Sequence, residues 1–192
     1  MSTTQPIRKA EEINALKNYF LHEKRNLRNY ALVCLGINSA LRISDLLSLT
    51  WDDVYDFTNG RFQKHITIIE SKTGKQTNNA LNQNATQALI LYKNSLPDVN
   101  GASFLFPGQK AGKALSRFQA YRILNSAGRE LHLEAALSCH SLRKTFGYHA
   151  WKMGVQPAVL MNIFNHSSFQ VTKRYLGIDQ DEIDQVFLDV NL

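Results

Sequence analysis

Three short segments of the sequence concentrate arginine, lysine, histidine and hydroxyl side chains, the groups with which proteins bind anions and transfer protons. In the first, Arg42 stands three residues before Asp45 in an otherwise apolar stretch. In the second, His140 and Arg143 are three residues apart, so a helix would place both on one face. The segments are 40–51 (Ala-Leu-Arg-Ile-Ser-Asp-Leu-Leu-Ser-Leu-Thr-Trp), 139–146 (Cys-His-Ser-Leu-Arg-Lys-Thr-Phe) and 165–176 (Asn-His-Ser-Ser-Phe-Gln-Val-Thr-Lys-Arg-Tyr-Leu).

The elements that must position these segments are predicted to be helices and one small sheet. Residues 65–69, His-Ile-Thr-Ile-Ile, are β-branched and predict a strand, and the turn-rich stretch after it carries Lys72, Gly74 and Lys75. The expected fold class is therefore mainly α with a small antiparallel β-sheet (α+β) and a basic hairpin tip. Apolar periodicity predicts helices over 9–24, from 27 into 36, and over 43–49, 86–93, 116–131, 140–153, 158–164 and 169–175, with an amphipathic tail over 181–190.

Composition excludes several classes of protein. The chain has 192 residues, 44% of them hydrophobic and 20% charged, which suits one globular domain rather than a disordered chain. Two cysteines are too few for a disulfide framework, no apolar run is long enough to span a membrane, and the N-terminal residues lack a secretory signal. We therefore expect a cytoplasmic protein with no membrane partner. The net charge of +6 suits a polyanionic partner.

In the three polar segments the sequence resembles the tyrosine recombinases of the phage integrase family. The family pattern is a helix Arg followed by an acid, a Lys on a β-hairpin, His-x-x-Arg, a Gly-His-Ser/Thr-Ser turn and Thr-x-x-Tyr. This chain carries the elements in that order, and the resemblance covers roughly residues 9–192. The matching residues are Arg42 with Asp45, Lys72, His140 with Arg143, His166-Ser167-Ser168, and Thr172 with Tyr175.

Two positions depart from the family pattern. Asn165 replaces the usual glycine before His166, and asparagine tolerates the left-handed backbone conformation better than most residues. Asp45 stands where many relatives have Glu, a shortening that we expect to alter how Arg42 is supported. Neither departure removes a reacting group.

The resemblance implies that a tyrosine attacks a phosphodiester. A phenol has a pKa near ~10 and is a poor nucleophile at neutral pH unless cations or a base assist it. Arg42 and Arg143 would match the charge that develops on the phosphate in the transition state. Lys72, with Lys75 as the alternative, would protonate the leaving 5′ oxygen. The remaining roles are Tyr175 as nucleophile, His140 in proton transfer at this tyrosine, and His166 in hydrogen bonding to the phosphate.

The resemblance also implies the product and the partners. Cleavage would leave a 3′-phosphotyrosine and a free 5′ hydroxyl, without ATP, metal or any other cofactor. The partner would be double-stranded DNA, on which the protein would assemble as a dimer or tetramer at paired sites, with accessory DNA-bending proteins. Weaker candidates for phosphate contacts are two basic clusters, which solvated helix faces explain about as well: Lys17, Lys24, Arg25 and Arg28, and Lys110, Lys113, Arg117 and Arg122.

Each matching residue taken alone also has a plain structural interpretation. Arg42 could form a salt bridge with Asp45, each histidine could cap a helix, Tyr175 could pack, and Lys72 could be solvated. These interpretations would have to hold together at six positions that follow the order of the family pattern, which is improbable. Two alternatives to a recombinase stay open, a type IB topoisomerase-like enzyme and a non-catalytic DNA-binding protein on the same scaffold. A metal-dependent nuclease lacks an evident ligand set in the sequence.

The domain organisation expected from the resemblance is a single catalytic domain over residues 1–192. Residues 1–8 would be a leader, and residues 179–192 a tail helix that neighbouring protomers exchange. The N-terminal core-binding domain of larger relatives would be absent. Two origins remain open, a naturally short recombinase similar to the fimbrial-switch invertases and a catalytic fragment of a longer integrase.

Overall fold

A computed structural model describes residues 4–190, in which helices surround two short β-hairpins. The mainly α architecture with small antiparallel sheets agrees with the predicted fold class. Among residues 4–190, no helix is both long enough and apolar enough to cross a membrane. The elements are α1 Ala10–Asn18, extended by a π-helical turn Tyr19–Glu23, α2 Leu27–Ser39, α3 Ile43–Ser48, β1 Tyr55–Asp56, β2 Arg61–Phe62, β3 His65–Ile69, β4 Gln76–Ala80, α4 Gln83–Asn94, α5 Arg117–Glu130, α6 Cys139–Lys152, α7 Pro157–Phe164, α8 Phe169–Leu176 and α9 Asp179–Asp189.

The strands form two separate antiparallel pairs. The predicted strand at 65–69 is confirmed as β3, and it pairs with β4 in a register that runs from His65 opposite Ala80 to Ile69 opposite Gln76. The turn between these strands, residues 70–75, is the predicted basic hairpin tip. The pairing of β1 with β2 was not predicted, since two residues a strand are too few to show a period-2 pattern.

Helix α2 lies at the centre of the molecule and is buried along most of its length. It packs against α4 on one side and α6 on the other. Leu32 and Leu35 are fully buried in a core that also contains Trp51 and Phe106. Burying each such side chain contributes about 1.5–3 kcal/mol. The result is a rigid centre from which the C-terminal end of α2 leads directly into Arg42.

Helix α6 and helix α8 approach each other at a glycine. A Cβ atom added to Gly147 of α6 would lie 2.5 Å from both Leu176 Cδ2 and Phe164 Cζ, closer than carbon atoms can pack. Phe164 and Leu176 are fully buried beside Tyr148 in a core of their own. The absence of a side chain at Gly147 therefore sets how near the helix that carries Arg143 lies to the helix that carries Tyr175.

The segment 4–8, expected to be a leader, packs along α6. The Ile7 N–H donates to Thr145 Oγ1 at 2.9 Å, and the Lys144 ammonium donates to the carbonyl oxygen of Thr4 at 2.7 Å. Ile7 is 1% exposed and belongs to the core formed with α1 and α2. This segment therefore contributes to the packing of the helix on which His140 and Arg143 lie.

Candidate active site

Arg42 lies where α2 ends and α3 begins. Ala40, the residue that ends α2, takes the left-handed conformation (φ 54°), and Arg42 is the N-cap of α3. The Arg42 guanidinium forms an ion pair with Glu70, at the end of β3, and both side chains are largely buried. We expected Asp45 to support Arg42 from one helical turn away. The structure instead pairs Arg42 with an acid on the hairpin.

Asp45 holds the hairpin rather than the arginine. Its Oδ1 accepts hydrogen bonds from the Ser71 N–H at 3.0 Å and from the Ser71 hydroxyl at 2.6 Å. Within residues 4–190, the buried atoms Asp45 Oδ2 and Arg42 Nη1 have no hydrogen-bond partner, although Nη1 is in ion-pair contact with Glu70. Glu70 therefore engages Nη1, whereas Nε and Nη2 of Arg42 make no hydrogen bond within residues 4–190 and can donate to an incoming phosphate oxygen.

Arg143 is fixed from three directions on the first turns of α6. Its Nη1 donates to the Ala40 carbonyl, its Nη2 donates to the Phe164 carbonyl at 3.3 Å, and its guanidinium lies 4.8 Å from the Phe164 ring centroid. The side chain is 5% exposed. A capping box that begins at Ser138 starts the helix and so fixes the direction in which Arg143 projects.

His166 and Tyr175 face each other across the turn between α7 and α8. Asn165 ends α7 in the left-handed conformation (φ 54°), which places His166 next to the start of α8. The His166 and Tyr175 ring centroids are 5.2 Å apart, and each ring lies within 6 Å of the Phe164 ring. His166 Nδ1 is 3.1 Å from Thr172 Oγ1. The predicted Thr-x-x-Tyr spacing therefore places a hydroxyl against the histidine and the phenol beside it.

Two opposing effects act on the pKa of Tyr175. Burial raises this pKa above its ordinary value, and the charges of Arg143 and Arg42, with a hydrogen bond from Arg143, lower it. Burial is the larger effect in the protein alone. Both arginines are thus close enough to the phenol to stabilise its phenolate.

Both histidines of the site are biased toward the neutral form. Burial lowers the pKa of His140, and the nearby positive charges, of which Arg117 is the largest, lower it further. Burial and the charges of Arg143 and Arg42 likewise lower the pKa of His166. Neutral imidazoles can accept a proton, so either ring could serve as a base at neutral pH.

The two hairpin lysines differ in their contacts. Lys75 Nζ donates to the Asn165 side-chain oxygen at 2.8 Å, directly beside His166. Lys72 is exposed at the tip, and its charge contributes to the lowered pKa of both His140 and His166. Lys72 is therefore close to the two histidines while its ammonium forms no hydrogen bond within residues 4–190. The mutual charge interactions thus place all six predicted site residues near one another.

Sequence reasoning missed two charged residues of this site. Glu70, 4% exposed, follows a predicted strand, and no local pattern connects it to Arg42. Lys144 directly follows Arg143, and its ammonium lies 5.2 Å from the Tyr175 ring centroid. Lys144 is 6% exposed, but the polar residues around it in the sequence gave no signal of this burial. Neither position could be recognised from spacing alone.

The site is made of cations and imidazoles rather than carboxylate clusters. Over the described part of the chain, no group of three or more His, Cys, Asp or Glu side chains has an arrangement that could hold a metal ion. Beside His140 lies an open cavity of about 390 Å³. Arg117, Phe118, Tyr121, Ser138, Cys139 and His140 line it.

The sequences of known relatives align with most of the chain. The chain is 41% identical over 181 residues to the probable integrase/recombinase YoeC of Bacillus subtilis, covering 94% of this chain and 93% of YoeC. It is 29% identical over 168 residues to the type 1 fimbriae regulatory protein FimE of Escherichia coli, covering 86% of this chain and 82% of FimE.

Solved structures share the fold at lower identity. The crystal structure of XerA recombinase superposes with a TM-score of 0.74 at 19% identity, covering 98% of this chain and 66% of XerA. The Tn1549 transposon integrase, solved in complex with a circular intermediate DNA, gives 0.65 at 23% identity, covering 90% of this chain and 61% of that integrase. This chain therefore spans about two thirds of the length of those structures.

The sequence profile of the phage integrase family matches residues 8–182, which include every site residue described above. Together with the shared fold and with YoeC, this match agrees with the pattern read from the three polar segments. The chain belongs to the phage integrase family of tyrosine recombinases.

Proposed function

We propose that this protein is a site-specific DNA recombinase that cuts and rejoins DNA strands through a 3′-phosphotyrosine at Tyr175. One observation carries the proposal: Arg143 and Tyr175, from distant parts of the sequence, lie against the same Phe164 ring at 4.8 and 5.6 Å, where the charges of Arg143 and Arg42 act on the phenol. The names of YoeC and XerA, and the DNA in the Tn1549 integrase complex, support the same substrate class.

In the proposed first step the Tyr175 oxygen attacks the phosphorus of the scissile phosphodiester. Neutral His140 accepts the phenol proton, directly or through a water, because its lowered pKa keeps it unprotonated at neutral pH. Hydrogen bonds to two backbone carbonyls already fix the Arg143 guanidinium. It can therefore stabilise the charge on the phosphate without first having to be ordered. Arg42, oriented by its ion pair with Glu70, supplies further donors to the phosphate through Nε and Nη2.

The contact between His166 and Thr172 sets which nitrogen of His166 carries the proton. The Thr172 hydroxyl donates to the Ser168 carbonyl at 3.3 Å, so in our proposal its oxygen accepts from Nδ1–H of His166, and Nε2 is the unprotonated nitrogen of the neutral ring. When the phosphate binds, its negative charge would favour a proton on Nε2, which would then donate to a non-bridging oxygen. This effect opposes burial and the charges of Arg143 and Arg42, which lower the pKa of His166 in the protein alone.

Lys72 is the proposed general acid. When the bond between phosphorus and the 5′ oxygen breaks, that oxygen takes a proton from the Lys72 ammonium. Lys75, the alternative, donates to Asn165 instead, which favours Lys72 for this role. In the second half of the reaction a 5′ hydroxyl from another strand attacks the phosphotyrosine, so the bond energy is retained and neither ATP nor a metal ion is needed.

The proposed DNA-binding surface continues from the cleft onto α5. Phe118 and Tyr121 are 62% and 41% exposed beside Arg117 and Arg122, and the Arg122 guanidinium lies 4.6 Å from the Phe118 ring centroid. The Cys139 thiol contacts the Arg117 carbonyl at 3.5 Å, which joins the start of α5 to the start of α6. Cations and exposed rings next to a phosphate-binding cleft suit contacts to a nucleic-acid backbone.

Helix α9 is the proposed contact between protomers. It exposes an apolar row that has no partner within one described chain, and an exposed row of this kind is typical of a protein–protein interface. Residues 4–178 would then form the catalytic unit of each protomer, and the helix would be exchanged when copies assemble on paired DNA sites. The row consists of Ile183, Val186, Phe187, Leu188 and Val190, which are 49–78% exposed.

The test is a covalent-adduct assay with Tyr175→Phe as the matched control. Nicked duplexes from DNA that flanks the gene are incubated with each protein in the presence of EDTA and separated on denaturing gels. We expect the wild type to form a protein–DNA adduct and the variant to form none, because only the phenol oxygen can take up the phosphate. An adduct in both proteins would show that another residue is the nucleophile.

Two further measurements separate the alternatives. Relaxation of a supercoiled plasmid by the protein alone would indicate a type IB topoisomerase-like activity. Sequence-selective binding that is unaffected by Tyr175→Phe, without any adduct, would indicate a non-catalytic DNA-binding protein.

A further inference from the structure

We propose that Asn165 is a positioning residue for strand cleavage: by accepting a hydrogen bond from Lys75, it holds the β3–β4 hairpin so that Lys72 reaches the leaving 5′ oxygen. The inference rests on the proposed function and assigns a new role within it. It concerns a position where this chain departs from the family pattern, because the glycine usual there has no side chain that could hold anything.

The hairpin turn is held at three points. Glu70 forms the ion pair with Arg42 and accepts a hydrogen bond from the Thr73 hydroxyl at 2.5 Å. Ser71 donates twice to Asp45. At the far end of the turn, the Lys75 ammonium donates to Asn165. Lys72 lies between the second and third of these points, so both restrict where its ammonium can go.

The third point differs from the others in what it joins. Arg42 and Asp45 belong to α3 and its N-cap, on one side of the cleft. Asn165 belongs to the turn that carries His166 and leads to Tyr175, on the other side. The bond from Lys75 to Asn165 therefore links the hairpin to the half of the site that carries the nucleophile. Without this hydrogen bond, the hairpin tip would be held only by its contacts to Arg42 and Asp45.

The backbone conformation at Asn165 allows its side chain to be removed while the turn is kept. With φ 54° and ψ 51°, the residue is in the left-handed region, which glycine adopts freely and asparagine adopts more easily than most residues. Asn165→Gly should therefore keep the turn and the position of His166 and remove only the acceptor for Lys75.

The experiment compares two substrates in single-turnover cleavage by wild type and Asn165→Gly. One is ordinary DNA; in the other, sulfur replaces the bridging 5′ oxygen at the scissile position. In both, the bond from Tyr175 to phosphorus forms as the bond to the 5′ atom breaks. An alkoxide must take a proton as it leaves, whereas a thiolate, with a thiol pKa near ~8.5, can leave unprotonated.

We expect Asn165→Gly to cleave ordinary DNA about tenfold more slowly than wild type, because a displaced general acid loses part of its effect. On the sulfur substrate the two proteins should cleave at rates within about twofold of each other. Asn162→Ala, which removes an exposed amide from the same helix, is the matched control and should match wild type on both substrates.

Two results would overturn this inference and leave the proposed function intact. Equal rates for Asn165→Gly and wild type on ordinary DNA would show that the bond does not position the hairpin. An equal loss on both substrates would show that Asn165 acts on the phosphate or the fold rather than through the general acid. If wild type forms no adduct with either substrate, the proposed function fails and this inference fails with it.

A double-mutant comparison tests the route through Lys75. Lys75→Ala and Asn165→Gly remove the two ends of one bond, so the double variant should be no slower on ordinary DNA than the slower single variant. Fully multiplicative losses would contradict the proposed route, because they would show that the two side chains act independently.

Discussion

At the scale of single residues, the candidate site consists of partly buried groups whose charges act on one another. Two arginines lower the pKa of Tyr175 against the effect of burial, and they also lower the pKa of His166. Burial and four surrounding cations do the same to His140. This excess of fixed positive charge favours the neutral form of both histidines and is suited to an anion.

The lowered histidine pKa values predict an asymmetric pH profile. The pKa of His140 lies below the ordinary value of ~6.5, so the ring is already neutral at pH 7 and stays neutral above it. Cleavage should be insensitive to His140 titration between pH 7 and 8, and should fall by about tenfold per pH unit once the pH is below that pKa. Single-turnover adduct formation from pH 5 to 8 measures this directly.

The control for the pH profile is His140→Gln, in which the acid limb should disappear along with most of the rate. His166→Gln should retain an acid limb. If the wild-type rate instead rises as the pH drops from 8 to 6, the histidines act in their protonated form and the proposed role of His140 as proton acceptor is wrong.

Sequence spacing predicted candidate site residues but not their partners. The two arginines, the histidines and Tyr175 were predicted because each lies at a fixed sequence separation from another polar group on the same helix or turn. The partner of Arg42 is Glu70, which lies 28 positions later on another element, and no local periodicity encodes such a pairing. Long-range contacts of this kind depend on how α3 and the hairpin pack.

At the scale of elements, the helix-to-helix distance at Gly147 decides whether the halves of the site meet. Gly147→Ala would force a Cβ into Phe164 and Leu176. We expect the free energy of unfolding to fall by about 1–3 kcal/mol, as is usual for overpacking. Because α8 carries Tyr175, cleavage should fall by about 10- to 100-fold at a temperature where the variant is fully folded. Thermal unfolding and single-turnover cleavage measure the two effects.

The comparison variant is Gly128→Ala in α5. Its added Cβ would also meet a buried side chain, that of Leu137, but at 3.0 Å and away from α7 and α8. We expect a smaller loss of stability and an unchanged cleavage rate. A similar loss of cleavage in both variants would mean that general destabilisation, rather than the displacement of α8, causes the effect.

Element boundaries followed the sequence where apolar periodicity was strong. Strand β3 has the predicted bounds, and α5, α6 and α8 begin or end within one residue of the prediction. Helix α1 was predicted to run to residue 24, but it changes to a π-helical turn at Tyr19, where Tyr19 and Phe20 are both buried. A change of helix type that buries adjacent aromatic rings depends on tertiary packing and leaves no period in the sequence.

At the scale of the whole molecule, α9 exposes apolar side chains that the rest of the described chain does not cover. Phe187 is 78% exposed and Val186 is 60% exposed. Phe187→Ser should leave the thermal stability of the free protein almost unchanged, because little is buried there, while reducing assembly on DNA that carries paired sites. Sedimentation of the protein with single-site and paired-site DNA would separate the two properties.

The control is Met153→Ser, which removes an apolar side chain that is 84% exposed on another surface. It should change neither stability nor assembly. If both variants assemble as wild type does, α9 is not the contact between protomers, and the proposed exchange of the tail helix is wrong.

Residues 4–8 limit how far the chain can be shortened for expression. They precede every helix and strand, so a fragment designed from secondary structure alone would start at Ala10 and omit them. Ile7 fills a core position, and Arg8 donates to the Gly177 carbonyl, two residues after Tyr175. The Thr4 carbonyl accepts from Lys144, whose ammonium lies near the Tyr175 ring. The shortest fragment that keeps Tyr175 in its surroundings therefore begins no later than Thr4.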